Sequence, residues 1–140
     1  MGVYDCSSVN THGAGVYVFF DDSMAYYIGE ADDVARRLLN EHCSISIGGS
    51  EGIVKFLMYY LNDICESRNE WIKLSVKGRE DFIKELLRDK IRRLKILIVT
   101  CNDLNDEKQD IRRIRNRLRI RLENCVIEKL NPILNLRRQV

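Results

Sequence analysis

The chain is poor in the residues that interrupt or staple small proteins. It has one proline and eight glycines in 140 residues, which excludes collagen-like chains and Gly/Pro-rich disordered ones. Two histidines, His12 and His42, are too few for a multi-histidine metal centre. Five cysteines (Cys6, Cys43, Cys65, Cys101 and Cys125) are an odd number at wide spacing, with no CxxC. That pattern leads us to expect free, mostly buried thiols in a reducing compartment, with a disulfide as the alternative in a chain from a heat-adapted source. No run approaches the ~20 apolar residues of a membrane span. No basic start followed by an apolar stretch marks a leader. A cytoplasmic chain with no membrane partner is the expectation. GxxxxGK[ST], GxGxxG and HExxH are absent, and hydrolases of the Ser/His or Cys/His type have no local signature here.

What is present is globular. Hydrophobic residues make up 45% and charged residues 31%, and the length fits one domain spanning 1–140. Such a chain buries roughly 70% of its unfolded surface without a metal or disulfide. The net charge of +2 conceals a division. Residues 1–67 hold three basic and ten acidic side chains, whereas 68–140 hold twenty and eleven. A basic half of this kind points to an anionic partner, nucleic acid first.

Along the chain, 1–13 reads as an irregular arm or short edge strand. Residues 15–20 and 25–29 are β-branched and aromatic around a turn at Asp21, Asp22 and Ser23, which predicts a β-hairpin. Asp32 or Asp33 is the N-cap candidate of a helix carrying Val34, Leu38 and Leu39. Ser50 is the N-cap candidate of a helix over roughly 51–65, and 79–92 is a further amphipathic helix. Residues 67–78 fit neither period. Residues 94–100 (LKILIVT) are the best central strand. A long Arg-rich helix runs from Asn105 or Asp106 to Pro132, with Ile111, Ile114, Leu118, Leu122, Cys125 and Val126 as its apolar stripe. Ile133 to Leu136 is a candidate terminal strand. This order is an α+β layout with a small, mainly antiparallel sheet.

Two separated patterns carry chemistry. Gly15-Val16-Tyr17 and Tyr27-Ile28-Gly29 lie on adjacent predicted strands, with the tyrosines ten residues apart, and Arg37 follows Tyr27 by ten. Far downstream, Glu123 precedes Pro132 by nine residues and Asn135 by twelve. Together these spacings resemble the GIY-YIG nuclease superfamily, whose first triplet tolerates Val. The resemblance covers 15–42 and about 94–136, and leaves 43–93 as a helical insertion. Gly2-Val3-Tyr4 is a decoy, with no YIG at the right distance.

The resemblance implies a metal-dependent endonuclease that hydrolyses DNA phosphodiester bonds with one activated water and one divalent metal. Glu123 matches the carboxylate ligand of Mg²⁺ or Mn²⁺, a hard cation that suits oxygen. Arg37 matches the clamp on the scissile phosphate, whereas Arg36 beside it is read as a surface ion-pairing residue. Tyr17 matches the general base or water-positioning group. Tyr27 matches a second hydrogen-bonding tyrosine, Tyr26 points to the other face, and Asn135 matches a brace. Many relatives carry a histidine fourteen residues after the second tyrosine; here Glu41 stands there. His42 follows one later, about 100° further round a helix. It either still reaches the phosphate or the site works without it. Glu30 follows the second triplet where many relatives have Lys or a small residue; it points away, pairs with an arginine or assists the metal. Arg112, Arg113, Arg117 and Arg119 are the expected nucleic-acid contacts. The alternative is a nucleic-acid-binding module of the same fold with weak or partner-dependent activity. Nicked or branched DNA, duplex DNA and RNA are all open as substrate forms, as is a homodimer.

Overall fold

In the computed structural model, residues 1–104 and 109–135 are described, 109–117 by their backbone alone. Four strands form one antiparallel sheet: β1 (Gly2–Tyr4), β2 (Gly15–Phe20), β3 (Ala25–Ala31) and β4 (Lys95–Thr100), in the order β1-β4-β2-β3. The expected hairpin is β2–β3, with Tyr17 opposite Gly29 and Phe19 opposite Tyr27. The Asp21 carboxylate ties its turn by accepting from the Ser23 and Met24 amides and from the Tyr26 hydroxyl. β4 lies inside the sheet, as its apolar run predicts. The decoy triplet is the edge strand β1.

The helices are α1 (Val34–Arg37), which continues as a π turn (Leu38–His42), then α2 (Glu51–Tyr59), α3 (Leu61–Glu66), α4 (Arg68–Trp71), α5 (Val76–Arg92) and α6 (Gln109–Leu130). Asp33 caps α1 by accepting from the Arg36 amide at 3.0 Å. Ser50 caps α2 through the Ile53 amide. The single helix expected over 51–65 is two, because Tyr60 leaves helical geometry (ψ 16°). α5 starts earlier than its stripe predicts, at a Ser75 cap. The expected start of the last helix, at Asn105 or Asp106, lies outside the described residues.

Strand alternation divides the interior into two parts. Tyr17, Phe19, Ile96 and Ile98 face the larger core, with Val34, Ala35, Leu38, Ile53, Phe56, Leu87 and Ile91 of the helices. Val16, Val18 and Ile28 face the other way, against Leu122, Val126 and Ile127 of α6. α6 ends at Asn131, whose positive φ of 46° turns the chain ahead of Pro132. Beyond it, 133–135 runs along the open edge of β3 without becoming a strand. Ile133 and Leu134 amides donate to the Ala25 and Tyr26 carbonyls, and the Asn135 side chain makes the next two bonds itself.

The cysteine expectation is corrected. Cys6 and Cys43 form a disulfide across 37 residues of sequence, and Cys65, Cys101 and Cys125 are exposed thiols. Pairing reflects the arm before β2 folding back onto the π turn, a contact between segments that sequence spacing does not encode. Among the described residues no helix is long and apolar enough to cross a membrane.

Candidate active site

β2 and β3 present Tyr17 and Tyr27 side by side, their ring centroids 6.4 Å apart. This approach requires the glycine opposite Tyr17, since a Cβ on Gly29 would overlap the Tyr17 hydroxyl. His42 completes the group. Its Nε2 lies 2.7 Å from the Tyr17 hydroxyl, and its ring stands 5.8 Å from that of Tyr27. Phe19 and Phe56 wall this cluster on the core side.

The π turn explains how His42 arrives there. Cys43 N donates to Leu38 O at 2.7 Å, an i→i+5 bond. Such a turn holds one residue more than an α turn, and it brings His42 round to Tyr17. The chain then doubles back through Ile45 at φ 57°, an unusual conformation for a β-branched residue, and Ser50 returns to His42. The Ser50 hydroxyl lies 2.9 Å from His42 Nδ1. Gly52 lets the first turn of α2 close in, because a Cβ there would stand 2.9 Å from His42 Cε1.

Charges converge on the tyrosines from three parts of the chain. Burial holds the Tyr17 phenol well above its ordinary range, with Tyr27, Glu123 and Glu41 adding to the rise and Arg37 opposing it. Burial raises Tyr27 to about 12, followed by Glu123 and Glu51, again against Arg37. His42 is lowered to about 4, first by burial and then by the Arg37 guanidinium, so its imidazole is neutral at pH 7. Arg37 itself bridges to Glu41 on the next turn, Nε to Oε2 at 3.4 Å. Arg36 pairs with Asp32 at the surface, as its neighbouring charge predicts.

Asn135 grips β3 at its open edge. Its Oδ1 accepts from Ile28 N at 2.7 Å and its Nδ2 donates to Ile28 O at 2.8 Å. It therefore fixes the residue between Tyr27 and Gly29. Tyr26 is structural, its hydroxyl spent on Asp21.

Arg119 does not offer its charge to solvent as expected. Its Nε donates to Glu30 Oε2 at 2.7 Å and its Nη1 to Leu104 O at 3.1 Å, and the residue is buried. A guanidinium held on two sides inside the protein is a tie between α6 and β3, and it accounts for Glu30. The side chains of Arg112, Arg113 and Arg117 lie outside the described residues.

Sequence reasoning missed three participants. Ser50 was visible as a helix cap but not as a partner of His42. Lys55 sits with its Nζ 5.5 Å from the Tyr27 ring centroid and pairs with Glu51 at 3.4 Å. Glu51, in turn, acts on Tyr27. Only the i, i+4 spacing of Glu51 and Lys55 was available as a signal, and that pattern is common on solvated helices.

No family model, no curated protein and no solved structure matches this chain.

Proposed function

We propose that the chain is a GIY-YIG-type endonuclease hydrolysing DNA phosphodiester bonds. One observation carries the reading. Tyr17 hydrogen-bonds His42, and the charges of Arg37 and Glu123 both act on Tyr17 and Tyr27, across more than a hundred residues of sequence. Asn135 holds the strand between them. The π turn supports the reading further, since it offsets the one-residue displacement of His42 from the family position.

The donor set fits a hard divalent cation. Glu123 is a half-buried carboxylate whose charge raises both phenols, and Mg²⁺ is commonly held by one or two carboxylates plus waters and phosphate oxygens. Among the described residues no group of three His, Cys, Asp or Glu is arranged as a metal cage, and Mg²⁺ of this kind does not call for one. Mg²⁺ or Mn²⁺ on Glu123 would supply charge neutralisation at the phosphate. In this reading Arg37 leaves Glu41 to fork onto the phosphate. The less buried Tyr27 hydrogen-bonds the water or the phosphate, and Tyr17 takes the water's proton as it passes its own phenolic proton to the neutral His42 ring, whose Nε2 lies 2.7 Å away. The basic second half of the chain supplies attraction for the backbone.

The second reading, a nucleic-acid-binding module with weak or partner-dependent activity, is favoured by one fact: Tyr17 is only 1% exposed. Nicking of supercoiled plasmid with Mg²⁺, stopped by EDTA and lost in Glu123→Gln, supports the enzyme. DNA binding without nicking in wild type supports the module.

A further inference from the structure

α2 belongs to the stretch 43–93, which the family motifs leave without a role. Its first turn leans on the hydroxyl end of Tyr27: a Cβ on Gly52 would stand 3.0 Å from Tyr27 Cε1 and 3.1 Å from its Cζ. Lys55, three residues on, shares that side of the helix, and its Nζ stands 5.5 Å from the Tyr27 ring centroid. The Lys55 side chain is only 22% exposed, against 72% for Lys77 and 56% for Lys95. Lysine ordinarily buries its stem and keeps its head in water, so an ammonium turned in against this phenol calls for a reason. Its carboxylate partner, Glu51 at 3.4 Å, is 82% exposed, and a one-turn pair of that kind is weak. Arg119, by contrast, is fixed by both Glu30 and a backbone carbonyl. Lys55 can therefore exchange partners at little cost.

The neighbouring phenols differ in their engagement. Tyr17 bonds His42 and Tyr26 bonds Asp21, whereas among the described residues the Tyr27 hydroxyl has no hydrogen-bond partner. Three carboxylates, Glu123, Glu51 and Glu41, act on Tyr27, with Arg37 opposing them. A phosphodiester that reaches Tyr27 meets this repulsion, and Lys55 is a second cation placed to offset it. Arg37 acts on Tyr17, Tyr27 and His42 alike, from the centre of the site. Lys55 stands over the more exposed phenol, at the mouth.

We propose that Lys55 is a nucleic-acid-binding residue: when DNA arrives, its ammonium leaves Glu51 and takes the backbone phosphate that the Tyr27 hydroxyl meets. That this phosphate is the one cut rests on the nuclease reading; the contact itself does not. A place at the mouth gives Lys55 a part in holding the substrate more than in the transition state.

The experiment measures the affinity of the full-length protein for a fluorescent DNA duplex in EDTA across a series of salt concentrations, read beside plasmid nicking with Mg²⁺. Circular dichroism follows the folding of each variant. Lys55→Met keeps the stem and removes the charge. It should flatten the log–log salt dependence by about 0.9, which amounts to about eightfold in Kd between ~1 M and ~0.1 M salt. Lys55→Arg should keep the wild-type slope. The loss of nicking in Lys55→Met should fall on KM more than on kcat. Glu51→Gln releases the ammonium and should tighten binding beyond Glu70→Gln, which removes an exposed carboxylate of α4. A folded Lys55→Met with the wild-type slope overturns the proposal. Should that variant not fold, a Glu51→Gln that binds no tighter than Glu70→Gln overturns it instead. A Lys55-dependent slope without nicking overturns the nuclease reading and leaves the contact standing, and nicking with a slope indifferent to Lys55 does the reverse. A wild type that binds no DNA overturns both.

Discussion

Acid should destabilise this protein through His42, by an amount that can be isolated. In the folded state burial and Arg37 lower the imidazole to about 4, against an ordinary value of 6.5. The folded chain therefore binds fewer protons than the unfolded chain between those two values. Stability from this group is complete above pH 6.5 and is lost as pH falls toward 4. Between pH 7.5 and 5 the loss works out at about 2 kcal/mol, and it would reach about 3 kcal/mol at still lower pH. Other acids and His12 also titrate, so the comparison is with His42→Gln, which can still donate and accept but does not ionise. Urea unfolding of both proteins at pH 7.5, 6 and 5 gives the test. His42→Gln should be the less stable at pH 7.5, and the gap should narrow by about 2 kcal/mol at pH 5. A gap independent of pH, or a His42 resonance titrating near 6.5, would refute the account of its burial.

Asn135→Ala removes both bonds to Ile28 and should lower stability by about 1–3 kcal/mol, with faster amide exchange at Ile28 than at Val18. Glu30→Ala removes the carboxylate that faces the buried Arg119 guanidinium and should cost about 2–4 kcal/mol in urea unfolding; Glu30→Ala at wild-type stability would show that the pair is not formed in solution. Cys6→Ser opens a loop of 37 residues and should lower stability by about 3–4 kcal/mol on the chain-entropy estimate, an effect that disappears when both proteins are compared under reducing conditions. Tyr17→Phe should abolish most nicking with DNA affinity retained, and a dead Tyr27→Phe beside an active Tyr17→Phe would move the base to the other strand.

The hairpin, the interior strand β4 and the caps at Asp33 and Ser50 were legible because each is written in adjacent residues: alternation for strands, a short oxygen-bearing side chain before a helical stripe. The tyrosines, Arg37, Glu123 and Asn135 were singled out by spacings that resemble a family's motifs; Tyr17 and Tyr27 stand side by side, Asn135 holds Ile28, and Arg37 and Glu123 reach the tyrosines through their charge. The π turn was not legible, since one residue of extra helix leaves no mark beyond a histidine out of phase. The disulfide and the Glu30–Arg119 tie escaped for a different reason. Each joins segments whose meeting depends on the whole topology, and 89 residues separate the members of the tie. Arg119 shows the limit of reading charge as surface: among many arginines of one helix, nothing local marks this residue as turning inward.

The bond between Cys6 and Cys43 makes a covalent ring of the intervening chain, and that ring contains Tyr17, Tyr27, Arg37 and His42, whereas Glu123 and Asn135 lie outside it. Under tension applied at the two ends, the ring does not lengthen beyond the span of its two cysteines. The oxidised chain should therefore extend about 120 Å less than the reduced one when fully pulled out. Load borne by the outer chain falls on β1, on α2 to α5, on β4, and on α6 with the 133–135 segment, and leaves the ring closed. Mechanically the molecule is thus built in two parts: a looped portion that keeps both tyrosines, the arginine and the histidine on one covalent circuit, and a detachable one that brings the carboxylate.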